Sequence, residues 1–202
     1  MSTVFVSVGM SLDGYIAGPN ARPGNPLGDG GPPIHTWMYE TATFRERLGF
    51  GAGGETGPDD DIVRHTFDRI GANVMGRRMF DEGEVGWPEE APFGTPVFVV
   101  TNHAREPWVR KGGTTFFFVT DGIESALAQA KEAAGDKDVR ISGGADVVRQ
   151  YLSAGLVDEL DIELAPVLLG SGNRLFDGLA GAGDIRLRTE GRVAHLRYRV
   201  AK

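Results

Sequence analysis

Short β-branched and aromatic runs alternate with segments of helical spacing along most of this chain, and that alternation restricts the possible folds more than any other feature. Thr3 to Gly9 (TVFVSVG) reads as a buried first strand, followed by a Ser11-Leu12-Asp13-Gly14 turn. Asn73 to Met75, Pro96 to Thr101, Thr114 to Thr120 and Asp138 to Ser142 read as further strands. Between them, Ile62, Val63, Thr66, Phe67 and Ile70 keep helical spacing, with Asp59-Asp60-Asp61 ahead of them and Gly71 behind. Other helices are expected from Thr36 to Leu48, from Gly76 onward, from Ile123 to Ala134 with Asp121 as cap, and from Ala145 to Ala154. Gly18 to Pro33 and Gly49 to Pro58 hold too many breakers for regular structure, and long loops in a compact domain are usually functional or mobile. The pattern implies an α/β fold of three layers, a mostly parallel sheet with helices on both faces. Leu160 to Val167, Ile185 to Glu190 and Val193 to Val200 read as closing strands, the last two as a C-terminal antiparallel hairpin turning near Gly191.

At 202 residues the chain is one domain's worth, and no composition shift or linker divides it. No apolar run reaches the roughly 18 residues of a membrane span, and MSTVFVSVGM lacks the basic start of a secretory signal. A soluble, cytoplasmic protein is expected. Cysteine is absent, which removes disulfides, thiolate metal sites and cysteine nucleophiles. A net charge of −7 argues against a nucleic-acid partner, so positive chemistry has to be local. Only four of the 21 cationic side chains are lysine, which leaves anion binding to arginine, the better bidentate partner of phosphate.

Three strand-to-loop junctions carry that possibility. Met75-Gly76-Arg77-Arg78 sets two guanidiniums at a helix start, suited to a phosphate such as the 2′-phosphate of NADP. The same arginines could instead pair with Asp81, Glu82 or Glu84. Ile141-Ser142-Gly143-Gly144-Ala145 allows either close backbone approach to an anion or a turn that needs positive φ. Val100-Thr101-Asn102 ends a strand with two small polar groups, which also suit a cap. All three sit at carboxyl ends of strands, where open α/β sheets bind ligands. Asp13 closes a turn beside the same edge, and Asp60 could face a substrate from the acidic helix start. There is no G-x-S-x-G elbow, no P-loop and no paired histidines of a zinc site. Trp37, Trp87 and Trp108 fall near loops, where they suit either a pocket wall or ordinary packing.

Ser11-Leu12-Asp13-Gly14-Tyr15-Ile16-Ala17, Val74-Met75-Gly76-Arg77, Ile141-Ser142-Gly143-Gly144 and Ala165-Pro166-Val167-Leu168-Leu169-Gly170 occur in that order. From residue 3 to about 200 the chain resembles the C-terminal reductase domain of the bacterial riboflavin-biosynthesis deaminase–reductase, a family built on the dihydrofolate reductase fold. The resemblance implies NADPH across the carboxyl edge of the sheet. Gly76, Arg77 and Arg78, with Thr101 and Asn102, would take its phosphate end, and Ser142, Gly143, Gly144 and Ala145 its pyrophosphate. Substrate would lie between the Ser11–Asp13 turn, the segment holding Leu168, Gly170 and Phe176, and the 18–58 region. The implied reaction is hydride transfer to a C=N or C=O carbon, of the 5-amino-6-(5-phosphoribosylamino)uracil reductase type, in a homodimer. Asp13 and Asp60 are the expected substrate-orienting carboxylates; spacing alone brings Asp60 to the pterin-binding position of dihydrofolate reductase. The zinc deaminase half needs cysteines, so a stand-alone reductase is expected. Two other readings stay open: reduction of a pterin or small carbonyl compound, and an NADPH-binding module without turnover.

Overall fold

The computed structural model describes residues 2–185. Seven strands form one sheet: β1 (Val4–Ser11), β3 (Ile70–Gly76), β4 (Pro96–Val100), β5 (Trp108–Val109), β6 (Thr115–Val119), β7 (Asp138–Gly143) and β8 (Glu159–Ala165). Their order is β5-β6-β4-β3-β7-β1-β8, parallel throughout except where β5 runs against β6. A separate antiparallel pair joins β2 (Tyr15–Ala17) to β9 (Asn173–Arg174). The expected hairpin at 185–200 lies outside the described residues, save Ile185.

Side chains alternate across a strand, so each face of the sheet has its own core. On one face Val4, Val6, Val74 and Ile141 meet Leu127 and Ala130 of α5 (Ile123–Ala134) and Val148 and Tyr151 of α6 (Ala145–Ser153). The buried Tyr151 hydroxyl donates to the Ile123 carbonyl at 2.6 Å, which ties α6 to the start of α5. On the other face Phe80 of α4 (Arg77–Glu84) is fully buried against Met75, Val97, Val99 and Phe116. Its ring stands edge-on to Phe116 at 5.2 Å and to Phe118 at 5.0 Å. Burying a ring of that size contributes about 2–3 kcal/mol, and it anchors the helix that carries Arg77 and Arg78.

The helix expected from Thr36 to Leu48 is two helices, α1 (Thr36–Glu40) and α2 (Ala42–Arg47). Thr41 breaks it with extended backbone at ψ 147°. Its hydroxyl donates to the Met38 carbonyl at 2.8 Å and accepts from the Phe44 amide, closing one helix and opening the next. Then comes α3 (Pro58–Arg69), with the three aspartates in its first turn. Gly122 rather than Asp121 caps α5, because φ of 100° there suits glycine alone. The Gly18–Pro33 stretch, irregular as expected, is held by its own hydrogen bonds: Gly18 donates to Leu27, and Asn20 and Asn25 both donate to the Asp29 carboxylate. No helix among the described residues is long and apolar enough to cross a membrane.

Candidate functional site

A cleft of about 1040 Å³ opens along the carboxyl ends of the central strands. One wall is made by all three junctions. Gly76, Arg77 and Arg78 follow β3, Thr101 and Asn102 follow β4, and Ser142, Gly143, Gly144 and Ala145 follow β7; all nine line the cleft. Parallel pairing of β3 with both β4 and β7 sets these strand ends side by side.

Two helix N-termini open on this wall. Gly76 caps α4 and Gly144 caps α6, neither with a side-chain hydrogen bond, so first-turn amides and the positive helix end stay available to an anion. A Cβ on Gly76 would sit 2.8 Å from Val147 Cγ2, whereas a Cβ on Gly144 would meet nothing within 4 Å. The space over Gly144 is therefore open to a ligand. Arg77 pairs with Asp81 and Arg78 with Glu82, each at 2.7 Å. Both pairs use Nε alone, and the terminal nitrogens of both guanidiniums make no hydrogen bond among the described residues. Glu84 pairs instead with Arg105. Inward, the Ser142 hydroxyl is committed to Asn73 Oδ1 at 2.9 Å, and Thr101 Oγ accepts from the His103 amide.

The remaining expected residues do not line the cleft. Ser11 is buried and donates to Asp13 Oδ1 at 2.7 Å. Asp13 also accepts from the amides of Leu169 and Gly170. Those bonds, the Ser11 hydroxyl first, hold its carboxyl down at about 2. Leu168 is 74% exposed and Phe176 40%, both turned to the surface. Asp60 is buried, accepting from the Thr43 amide at 2.7 Å and from Arg64 at 3.2 Å. It thereby stabilises the start of α2, and the Thr43 amide above all lowers its carboxyl. Neither Asp13 nor Asp60 lines the cleft, and both carboxylates accept from backbone amides elsewhere.

The opposite part of the cleft holds groups that sequence reasoning missed. Ser7, Gly9, His35, Arg140 and Glu163 line it, beside Trp37, Tyr39, Phe44 and Phe67. Trp87 also lines the cleft, while Trp108 stacks on Phe116. Register puts Phe5 beside Arg140 and Gly9 beside Glu163, so Ser7, Arg140 and Glu163 share one face of β1, β7 and β8. Ser7 Oγ donates to Glu163 Oε1 at 3.1 Å, and Arg140 Nη2 donates to the Ser7 carbonyl at 2.8 Å. A Cβ on Gly9 would lie 2.9 Å from His35 Cε1, so glycine there lets the imidazole rest against the strand. Burial, then the charge of Arg140, holds His35 down at about 4, while burial pushes Glu163 up against the pull of Arg140. The signal available beforehand was a charged residue inside each of two buried-looking strands, DVRIS and DIELA.

Residues 2–193 match the family described as the RibD C-terminal domain. Over 132 residues the chain is 32% identical to the uncharacterized protein YwjB of Bacillus subtilis (strain 168), covering 65% of this chain and 73% of that one. A crystal structure from Shewanella sp. PV-4, provisionally designated a riboflavin biosynthesis protein, is 26% identical with a TM-score of 0.55 over 87% of this chain and 82% of that one. Acinetobacter baumannii RibD shares the fold at 17% identity and a TM-score of 0.55; the alignment takes in 93% of this chain and 53% of that one, so the chain spans about half of it.

Proposed function

Because this chain belongs to the RibD C-terminal domain family, we propose that it is an NADPH-dependent reductase passing hydride to a C=N or C=O carbon of a substrate of the 5-amino-6-(5-phosphoribosylamino)uracil type. The observation that carries this reading is the convergence of three junctions, far apart in sequence, on one wall of one cleft. The open space over Gly144 and the uncapped start of α6 suit a pyrophosphate, and the terminal nitrogens of Arg77 and Arg78 suit a 2′-phosphate. A reduced nicotinamide held there would supply the hydride, and water the proton that completes the new N–H or O–H. The protein's own part is to hold the two reactants face to face in a cleft that aromatic side chains also line. Burial of Asp60 away from the cleft counts against a pterin held by that carboxylate. In this reading the chain acts as one cytoplasmic domain and pairs with a second copy.

Titration with NADPH and NADH tests the cofactor half. The wild type should bind NADPH clearly more tightly. Replacing Arg77 and Arg78 together with alanine should weaken NADPH by about tenfold or more and leave NADH nearly unchanged, since only NADPH carries the 2′-phosphate. Equal losses for both cofactors would remove the phosphate from these arginines. Loss of absorbance at 340 nm on adding 5-amino-6-(5-phosphoribosylamino)uracil tests turnover. Tight NADPH binding without oxidation by any acceptor would favour a binding module.

A further inference from the structure

Arg140 is an unusual cation to find on the floor of a cleft. It forms no ion pair among the described residues, and its Nε is buried without a hydrogen-bond partner. Nη2 is spent on the Ser7 carbonyl, which leaves Nη1 with no bond inside the protein among those residues. Across β1, Glu163 accepts from Ser7 Oγ through Oε1 only, and Oε2 accepts from no other residue described. Ser7 thus holds both side chains by one bond each, at fixed separation on the same face, with a donor and an acceptor left over. Unlike Nε, these two atoms are not sealed from solvent, so the polar edge of a ligand in the cleft would take them over from water.

The surroundings narrow the ligand. Tyr39, Phe44 and Phe67 form an aromatic wall, with Phe44 and Phe67 stacked at 5.9 Å. That favours a flat ring. The charges around it are mixed: Glu163 acts on Arg140 from one side and Arg47 from another, while His35 is neutral near pH 7, so an edge that both accepts and donates suits the place.

Resting on the reductase reading above, we propose that Arg140 and Glu163 are the specificity-determining pair of the substrate compartment. Arg140 Nη1 donates to a ring carbonyl and Glu163 Oε2 accepts from a ring N–H, so the site selects a planar heterocycle with an amide- or imide-type edge. Arginine supplies the donor at fixed orientation, and the carboxylate rejects rings that lack the N–H, since it would give up water to the ring without gaining a partner.

Calorimetric titration of the full chain, free and saturated with NADPH, tests the pair with two probes. One is 5,6-diaminouracil, which presents ring N–H groups and carbonyls. The other is 5,6-diamino-1,3-dimethyluracil, whose ring nitrogens are methylated. The wild type should bind the first about tenfold or more tightly than the second. Glu163→Leu should bring the two within about threefold of each other by removing the acceptor. Arg140→Met should weaken both by about tenfold, because the carbonyls are common to both. NADPH affinity, read in the same titrations, should not change in either variant and reports that each is folded. The wild-type comparison needs no variant and stands even where one misfolds. NADPH binding with no preference between the uracils, or with neither bound, would overturn the pair and leave the reductase reading intact. A clear preference in a protein that does not bind NADPH would overturn the reductase reading and leave the pair.

Discussion

Gly143 and Gly144 stand next to each other in sequence and do different things. Gly143 takes φ of +124°, a conformation that L side chains rarely adopt, and so makes the turn. Gly144 has φ of −69°, open to any residue, and the space beside it is free. Of the alternatives legible in Ile141-Ser142-Gly143-Gly144, the turn falls to Gly143, and Gly144 leaves room for the close approach. Gly144→Val should fold, with a melting temperature within a few degrees of wild type, and lose NADPH affinity by about tenfold or more as the side chain fills the space over the α6 start. Thermal melts and NADPH titration on the same sample separate the two effects, and unchanged affinity in a folded variant would move the pyrophosphate elsewhere. Arg140 and Glu163 were not legible in this way. Each shows in the sequence only as a charge inside a buried-looking strand, and the register of β7 and β8 against β1 is what brings them to one face.

Between elements, a few carboxylates do the joining. Asp13 lies in the turn between β1 and β2 and holds the Leu169 and Gly170 amides, while the Tyr15 hydroxyl donates to the Gly170 carbonyl at 3.1 Å. The β1–β2 turn is thereby strapped to the segment that leads into β9. The turn itself could be read from Ser11 to Gly14, but its partners lie more than 150 residues away, beyond any local pattern. Asp60 and Thr41 teach the same lesson, since periodicity over 36–48 shows a helix and not the carboxylate that starts a second one inside it. The strap has a pH signature. Asp13 titrates at about 2 when folded against an ordinary 3.8, so its stabilisation is complete above pH 4 and disappears as the pH falls from about 4 toward 2. Asp13→Asn should lower the melting temperature at pH 7, and the gap from wild type should close near pH 2. A gap of the same size at both pH values would assign the loss to geometry rather than to charge.

For the whole molecule, alternation along the chain was enough to establish a parallel three-layer α/β fold, because each element's period is local. The strand order was not legible, since it depends on which distant strands pair, and neither was β5 or the small β2–β9 sheet, each too short to show a period. Strand order nonetheless shapes the molecule's response to acid. It places β1 between β7 and β8, so the 32–35 turn sets His35 over Gly9 within the field of Arg140. The imidazole is held at about 4 instead of 6.5, and its contribution to stability is fully present above pH 6.5 and lost as the pH falls toward 4. Over that window the loss is up to about 3 kcal/mol, a large share of a domain's stability. Glu163 works in the opposite sense, because its raised carboxyl is better tolerated when protonated. Comparing wild type with His35→Phe by urea unfolding at pH 7 and pH 4.5 removes that term, which both proteins share. The wild type should lose stability between the two pH values by about 2–3 kcal/mol more than the variant. Equal losses would mean that the imidazole takes up its proton in the folded protein as readily as in the unfolded chain, and that neither the cleft's burial nor the charge of Arg140 acts on it.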